Sequence, residues 1–417
     1  MAKKKNTARS TGKGKSGGSA RASKSYDSGR DVSKNHSGTG NRKTHRKKKR
    51  RKRGIGKIVF LVIEILVILI LIAALYVWSK LDEMNRTTVD ETAVGISDEI
   101  DEELMQGYTN IALFGLDTRD SDASLATGRS DTIMVVSINN DTSEIRMISV
   151  YRDTYLGIDD GEGNLSYQKA NAAYASYGAE GAMRMLNQNL DLDITDYVTV
   201  DFYALVEVVD LMGGVELEIT EAEAEVINKW IDATAEIVGV ESSHIDGAGT
   251  YLCDGVQATA YCRIRSTSGG DFTRAQRQRT VLAQLFKSAR SSSLTTLNSV
   301  IDAVLPDVET SLTNAEIVTL ASHLANYSLA DTSGFPFDLT TATYDSVGSV
   351  DVPCTLETNV TQLYEFFFEE VDYVPSSTVQ EISYTIIMNT GIYEDDAVDY
   401  GIEDDGLSDE SETDSEE

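Results

Sequence analysis

The longest apolar run of the 417-residue chain is IGKIVFLVIEILVILILIAALYVW at 55–78, in which Lys57 and Glu64 are the charged residues. A helix needs about 20 apolar residues to cross the hydrocarbon layer of a membrane, so this run predicts a transmembrane helix. A cleaved signal peptide is the alternative, but a long segment precedes the run and no A-x-A-like site follows Trp78. Glu64 within the span is either functional, or it snorkels or contacts another helix.

Beyond the span, shorter patterns of strand and helix type alternate. Strands are predicted for NIALFGLD, TIMVVSIN, EIRMISVY, YVTVDF, GVELEI and CRIR, and the turn NNDTS joins the second to the third. Helices are predicted for GAEGAMRMLNQNL, ALVEVVDLMGG, DGVQATAY and DFTRAQRQRTVLAQLFKSAR, the last with Asp271 as its expected N-cap. Hairpins mixed with β–α units predict the α/β class, here an α/β/α sandwich with a mixed central sheet. Ligands of such sheets gather beyond the strand ends.

Composition divides the chain into five segments. Residues 1–54 form a Ser-, Gly- and Lys-rich tail that cannot bury a core and is expected to be disordered, ahead of the span at 55–78. A polar stalk at 79–107 leads to one large domain at 108–391. An acidic tail at 392–417 repels itself and is also expected to be disordered.

Charge is distributed very unevenly along the chain. Residues 1–57 hold 21 Lys and Arg against two Asp, a net charge of +19, whereas residues 80–417 hold 16 basic and 64 acidic residues, a net charge of −48. Lys and Arg crowded beside a span mark its cytoplasmic side, so we expect a single-pass, uncleaved anchor in the cell membrane with the domain outside. The basic tail could hold nucleic acid or anionic lipid; contact with the inner leaflet is favoured, and no nucleic-acid partner is expected.

Candidate chemistry is narrowed by the motifs that the sequence lacks. No H-E-x-x-H, C-x-x-C or G-x-S-x-G motif occurs, and the two histidines after the span, His244 and His323, do not support a catalytic triad. Three cysteines are too few for a disulfide framework, although a Cys253–Cys262 bridge is permitted outside the cell. Arginine remains, because five arginines fall within 17 positions: Arg263, Arg265, Arg274, Arg277 and Arg279.

The spacing of these arginines predicts an anion site. Arg263 and Arg265 would point from one face of the CRIR strand, and Arg274 and Gln278 are one helical turn apart. The N-terminus of their helix adds N–H donors, and guanidinium groups suit phosphate oxygens. The hairpin of TIMVVSIN and EIRMISVY would bring further charges to the same pole: Arg129, Asp131 and Arg152.

Aspartates among these cations have two interpretations. The aspartates concerned, Asp117, Asp131, Asp153 and Asp271, could be plain salt-bridge partners of the arginines. Alternatively, two of them supply the hard oxygen ligands of a Mg²⁺ ion that bridges phosphate oxygens.

Several motifs, in order and spacing, resemble the LytR-CpsA-Psr family of bacterial envelope proteins. They are NIALFGLDTRD, GRSDTIMVVSIN, MISVYRDTYLGI, KANAAYASYGAEGA, LMGGVELEI and GVQATAYCRIRSTSGGDFTRAQRQRTVL, and they span about 108–290. The resemblance implies a single-span extracytoplasmic phosphotransferase with an α/β/α sandwich and a hydrophobic channel for a prenyl chain. Its implied partners are the membrane, an undecaprenyl-pyrophosphate-linked glycopolymer and peptidoglycan, whose muramic acid C6 hydroxyl accepts the polymer.

The resemblance also implies roles for individual residues. Asp117 and Asp131 match metal-binding aspartates, which would hold Mg²⁺ or Mn²⁺. Pyrophosphate-binding positions match Arg129, Arg152, Arg263, Arg265, Arg274 and Gln278, and the site further includes Lys169 and Asp271. A frequent R-Q-Q reads Arg277-Gln278-Arg279 here, so Arg279 is expected at the surface.

Phosphate chemistry then outlines a mechanism. Arginines and the metal would neutralise the pyrophosphate while a sugar hydroxyl attacks the sugar-linked phosphorus in line. The group that deprotonates the hydroxyl is left open between Asp131 and Asp153. Two other functions also remain open: a polyprenyl-phosphate-binding regulatory protein without turnover, and a pyrophosphatase that releases the polymer. The polymer itself, teichoic acid, capsule or another anionic glycan, is not specified by the sequence.

Overall fold

A computed structural model describes the following residues, all of which lie in the unit Ile65–Glu417: Ile68, Ser79, 85–90, 92–116, 128–304 and 307–401. The basic tail and the candidate metal ligand Asp117 lie outside the described residues, as does all of the predicted span except Ile68. Within the described ranges, no helix combines the length and apolarity needed to cross a membrane.

Seven of the described strands form one mixed sheet. The strands in chain order are β1 Asn85–Arg86, β2 Tyr108–Leu116, β3 Ser130–Asn139, β4 Glu144–Val150, β5 Tyr155–Asp159, β6 Leu165–Lys169, β7 Asp196–Val200, β8 Val215–Ile219, β9 Gly249–Cys253, β10 Val308–Thr310, β11 Ser328–Phe335, β12 Leu339–Tyr344 and β13 Gly348–Pro353. The sheet has the order β1-β10-β7-β2-β3-β4-β11, with β2–β3, β3–β4 and β10–β7 antiparallel and the other pairs parallel. Three two-stranded sheets, β5–β6, β8–β9 and β12–β13, lie beside it. The predicted mixed central sheet is confirmed.

Each of the four predicted helical runs forms a described helix. The described helices are α1 Glu102–Gln106, α2 Asn171–Leu190, α3 Phe202–Met212, α4 Glu221–Val238, α5 Gly255–Cys262, α6 Gly270–Ser291, α7 Leu294–Val304, α8 Asn314–His323, α9 Leu356–Phe368 and α10 Ser377–Thr390. Capping boxes start α4 at Thr220 and α5 at Asp254, each closed by the residue three positions later. GVELEI does form a strand, β8, but this strand belongs to a two-stranded sheet and not to the central one.

Side chains on the two faces of the central sheet enter two different sets of contacts. Ile133 and Val135, two positions apart on β3, point toward one face, where they join a core with residues of α2, α9 and α10. Leu113 and Met134 point to the opposite face and line a cavity together with residues of α3 and α6. Helices therefore cover both faces, and the cavity lies on the α3–α6 side.

The start of α6 differs from the prediction. Its N-cap is Gly269, in the left-handed region at φ 81°, and Asp271 lies within the first helical turn. The expectation that Asp271 is the N-cap is therefore wrong. Two consecutive residues with positive φ, Gly269 and Gly270, let the chain turn sharply into the helix, so the helix begins before the aspartate.

The last described residues, 392–401, belong to the stretch that the sequence analysis assigns to the acidic tail. Val398 donates a backbone hydrogen bond to the Leu339 carbonyl at 3.0 Å. The ring of Tyr400 packs on Phe272 with 5.2 Å between centroids, and its hydroxyl bonds to Thr341. These contacts attach the segment beside the first turn of α6.

Candidate anion-binding site

Four segments converge at one pole of the central sheet. Asp131 is the second residue of β3, and Arg152 follows the last residue of β4 by two positions. Because β3 and β4 are antiparallel, the start of the first and the end of the second meet at the same edge. Arg265 lies in the connection between α5 and α6, and Arg274 lies in the second turn of α6.

Asp131 joins three arginines, which we call the arginine cluster: Arg152, Arg265 and Arg274. Arg152 Nη1 donates to Asp131 Oδ1 and Arg265 Nη2 donates to Oδ2, both at 2.7 Å. Arg274 Nη2 donates to the Asp131 backbone carbonyl at 3.0 Å. Burial acts to raise the pKa of Asp131, but the charge and hydrogen bond of Arg152 and the charges of Arg274 and Arg265 outweigh burial and hold this pKa below its usual value.

A second set of carboxylates surrounds the cluster. Asp271 Oδ2 accepts a hydrogen bond from Arg274 Nη2 at 3.0 Å and lies 3.5 Å from Arg152 Nε. Asp153 Oδ1 lies 3.2 Å from Lys169 Nζ and 3.7 Å from Arg152 Nε. Sites of opposite charge thus alternate across the pole, which lowers the repulsion between the cations.

Several guanidinium donors remain without a hydrogen bond among the described residues. Nε and Nη1 of Arg274 are buried without an acceptor, and so is Nε of Arg152, whose contacts with the carboxylates are electrostatic. Burial lowers the pKa of Arg274 to about 10, partly opposed by the charge of Asp271, so this arginine stays cationic at neutral pH. Buried donors without acceptors cost free energy, and an anion with several oxygens would satisfy them.

A cavity of about 370 Å³ adjoins these groups. Most of its lining is apolar: Leu113, Phe114, Leu116, Met134, Val198, Val200, Phe202, Leu205, Trp230, Val281, Leu282 and Leu285. Asp131, Arg265, Arg274 and Gln278 also line it. A ligand that fits both parts has a charged group of phosphate type and a hydrophobic chain.

Arg263 lies in a different setting from the one predicted. Capping by Asp254 and Gln257 starts α5, and the helix continues to Cys262, so CRIR is not a strand and Arg263 is the C-cap of α5. The side chain is 8% exposed and donates from Nη1 to Thr234 Oγ1 at 2.9 Å. Its guanidinium carbon lies 4.9 Å from the ring centre of Phe202. Arg263 also lines the cavity.

The remaining predicted residues are placed as follows. Arg129 is exposed, two positions before Asp131. Gln278 lines the cavity one turn after Arg274. Lys169, the last residue of β6, reaches the site through its contact with Asp153.

Two arginines of α6 have structural surroundings. Arg277 Nε donates to the buried carboxylate of Glu223 at 2.7 Å, and Nη1 and Nη2 bond to the Ile264 carbonyl and to Thr267 Oγ1, which fixes the connection that carries Arg265. Arg279 is 1% exposed, so the expectation that it lies at the surface is wrong. The physical reason is that α6 packs against helices and strands on more than one side, including α5, β8 and β11.

Asp351 of β13 is a residue of this pole that sequence reasoning missed. It is 7% exposed, and its backbone N–H donates to the Asp153 carbonyl at 2.9 Å. Burial raises the pKa of Asp351 to about 7; the charges of Asp153 and Asp271 add to the rise, and those of Lys169 and Arg152 oppose it. The available signal was an acidic residue inside the apolar stretch SVDVPC.

The three cysteines of the chain are free, buried thiols in this structure, so the permitted Cys253–Cys262 bridge is not formed.

Comparison with known proteins finds one matching family model, and similar sequences and solved structures. Residues 71–348 match the family model described as the LytR_cpsA_psr family. A Bacillus cereus (strain AH820) protein named polyisoprenyl-teichoic acid–peptidoglycan teichoic acid transferase TagU is 28% identical over 271 residues, 63% of this chain and 81% of that protein. The protein of the same name from Halalkalibacterium halodurans is 33% identical over 205 residues, 49% of this chain and 60% of that protein. A solved Enterococcus faecalis structure, described as a transcriptional regulator, has a TM-score of 0.52 and 26% identity, covering 70% of this chain and 97% of that chain.

Proposed function

The chain belongs to the LytR-CpsA-Psr family, and from this premise we propose that it moves an anionic glycopolymer from undecaprenyl pyrophosphate to the C6 hydroxyl of muramic acid in peptidoglycan. The observation that carries the proposal is the junction of the arginine cluster with an apolar cavity. The pyrophosphate would bind to the cluster, and the first part of the prenyl chain would occupy the cavity. A water-soluble nucleotide donor has no hydrophobic chain that would fill this apolar cavity.

The proposed transfer forms one bond and breaks one. The acceptor hydroxyl attacks the sugar-linked phosphorus, the bridging P–O bond breaks, and undecaprenyl phosphate leaves with the electron pair of that bond. The arginine cluster neutralises charge on the phosphates throughout, which is the main task in phosphoryl transfer. No covalent protein intermediate is needed.

Of the two candidate bases, Asp153 suits the proton transfer better than Asp131. Both carboxylate oxygens of Asp131 accept hydrogen bonds from guanidinium groups, and its pKa is lowered, so it holds a proton weakly. Asp153 pairs with Lys169 through one oxygen, Oδ1, and is partly exposed. We therefore propose that Asp153 is the base that accepts the proton of the acceptor hydroxyl.

A divalent cation, Mg²⁺ or Mn²⁺, is part of the proposal through Asp117 and Asp131. Among the described residues no group of three or more His, Cys, Asp or Glu side chains is arranged to hold a metal, and Asp131 would have to exchange a guanidinium partner for the ion. When bound, the ion would neutralise phosphate charge. EDTA treatment followed by Mg²⁺ addition tests this, since a metal requirement predicts loss and recovery of transfer.

The proposed topology is a single span with the domain outside the cell membrane. It is supported by the charge difference between the first 57 residues and residues 80–417. Protease added to intact protoplasts should digest the domain and spare an epitope at residue 20. Digestion of that epitope would refute the topology.

The proposed activity is tested with the full chain in detergent, an undecaprenyl-pyrophosphate-linked saccharide and un-crosslinked peptidoglycan oligomers. Wild type should give a phosphodiester-linked product. The double variant Arg152→Gln with Arg265→Gln should lose donor binding by roughly 10²- to 10⁴-fold, because each charge-assisted hydrogen bond contributes about 1.5–3 kcal/mol. Arg290→Gln, in the last turn of α6, is the matched control and should leave donor binding unchanged.

Other outcomes of this assay distinguish the two alternative functions. Release of free sugar phosphate without linked product, despite a suitable acceptor, would favour a pyrophosphatase. Binding of several donors without either product would favour a regulatory or carrier role. Equal donor binding by the double variant and wild type would refute the assignment of the arginine cluster.

A further inference from the structure

Asp351 is a buried acid that the mechanism above does not use. It lies on β13, and its backbone joins the segment after β4 through the hydrogen bond to the Asp153 carbonyl at 2.9 Å. Thr154 forms a parallel bridge with the same residue. This backbone pairing holds the backbone of Asp351 next to that of Asp153, the residue assigned as base.

Charged groups face Asp351 from each of three neighbouring segments. Arg152 and Asp153 follow β4, Lys169 ends β6, and Asp271 lies in the first turn of α6. Two of these four groups are cations and two are carboxylates, and the carboxylates act on Asp351 more strongly than the cations. The surrounding charges therefore add to the effect of burial and favour the protonated form of Asp351.

The charge count of the whole pole depends on Asp351. The arginine cluster and Lys169 supply four cations, and these contact three carboxylates: Asp131, Asp153 and Asp271. With Asp351 neutral, these seven groups together carry one net positive charge. With Asp351 ionised, the fourth carboxylate cancels that charge, and a bound phosphate would face an additional like charge in a site shielded from water.

We propose that Asp351 takes up a proton when a pyrophosphate diester binds to the arginine cluster, so that donor binding and proton uptake are coupled. The proposal rests on the proposed function for the identity of the anion. The anion draws the positive charge of Arg152 and Lys169 toward itself, and its own charge opposes ionisation of Asp351. Neutral Asp351 then leaves the ion pair of Asp153 and Lys169 undisturbed during transfer. In this role Asp351 is a positioning residue.

The sign of the effect follows from linkage. Burial already raises the pKa of Asp351 to about 7 in the ligand-free protein, and a nearby anion raises it further. The donor-bound state then holds more protons than the free state at pH values from about 7 up to the higher pKa of the bound state. Donor affinity should be greatest below about pH 7 and should fall as the pH rises. If the anion disfavours ionisation about tenfold, affinity falls about tenfold across the transition.

Calorimetry with the full chain in detergent measures this coupling directly. The probe is a geranyl-pyrophosphate-linked N-acetylglucosamine, a diester with no group that titrates near neutral pH. Titrations at about pH 7.5 in two buffers of different ionisation enthalpy give the number of protons taken up. Wild type should take up a substantial fraction of one proton. Asp351→Asn should take up almost none and should bind with little dependence on pH.

Two further variants make the result specific. Asp345→Asn makes the same chemical change in the exposed turn between β12 and β13, and it should behave as wild type. Lys169→Met removes a cation that favours ionised Asp351, so uptake should begin at a higher pH. If Asp351→Asn does not fold, the Lys169→Met variant decides: loss of uptake at every pH measured, and not only at about pH 7.5, would identify Lys169 as the proton acceptor and overturn the proposal.

The outcomes separate this inference from the proposed function. Uptake that persists in Asp351→Asn overturns the inference and leaves the transferase proposal standing. Asp351-dependent uptake without any transfer supports the inference and counts against turnover. Failure of the geranyl diester and of its longer-chain homologues to bind overturns both.

Discussion

Replacing Asp351 by Asn should change how the stability of the ligand-free protein depends on pH. The pKa of this carboxyl rises from an ordinary 3.8 to about 7, mainly through burial. The folded protein therefore binds the proton more tightly than the unfolded chain, and stability present near pH 4 is lost as the pH rises to about 7. A difference of this size corresponds to roughly 4 kcal/mol at most. Asn, which cannot ionise, should not show that loss.

Urea unfolding at about pH 5 and pH 8, followed by tryptophan fluorescence, measures this difference. Trp230 is a suitable probe because it lines the cavity. Wild type and the exposed-turn control Asp345→Asn should both be markedly less stable at the higher pH, whereas Asp351→Asn should lose much less. Parallel pH profiles for wild type and Asp351→Asn would show that Asp351 ionises freely in the folded protein, and the reasoning about its burial would be wrong.

Two other predictions concern the framework of the site. Gly255→Ala should destabilise the protein by about 1–3 kcal/mol or more, because an added Cβ would lie 2.2 Å from the Val206 carbonyl oxygen; Gly247→Ala, which meets nothing within 4 Å, is the control, and equal melting temperatures would contradict this. Arg277→Met should cost about 3–5 kcal/mol in urea unfolding by leaving the Glu223 carboxylate buried without its partner, and it should also weaken donor binding; a loss below about 1 kcal/mol would show that this pair is solvated.

Local pattern and strand geometry predicted much of the site. The NNDTS turn makes β3 and β4 antiparallel neighbours, and this alone brings Asp131 and Arg152 to one edge. The motif match identified the family, and both the family and the class of enzyme, a transferase, are confirmed by the comparisons. The order of the strands and the alternation of side chains along them therefore predicted correctly which polar residues share one edge of the sheet.

The errors arose where tertiary contacts decide the outcome. CRIR alternates between apolar residues and arginines, which is typical of a strand. The capping box at Asp254, however, starts a helix that continues to Cys262, and Arg263 is its C-cap. Arg279 gave no signal of burial, since its surroundings come from elements far away in sequence. Asp351 was missed because β13 meets the segment after β4 only in the folded chain, across about two hundred residues.

The arginine cluster satisfies its own charges before any ligand arrives, and this has a consequence for binding. Asp131 occupies one N–H of Arg152 and one of Arg265, so an incoming pyrophosphate gains less from these two groups than from free guanidinium groups. Part of the gain comes from the other N–H groups of Arg152 and Arg265, and part from buried donors that Asp131 does not reach: Nε and Nη1 of Arg274 and Nε of Arg152. These donors are buried, so a phosphate without a prenyl chain must leave water to reach them. A prenyl chain bound in the cavity would hold the phosphate beside them. We therefore expect affinity to increase with prenyl chain length far more steeply than with the number of phosphate charges, and a series of prenyl pyrophosphate diesters with equal affinities would refute this division of the binding energy.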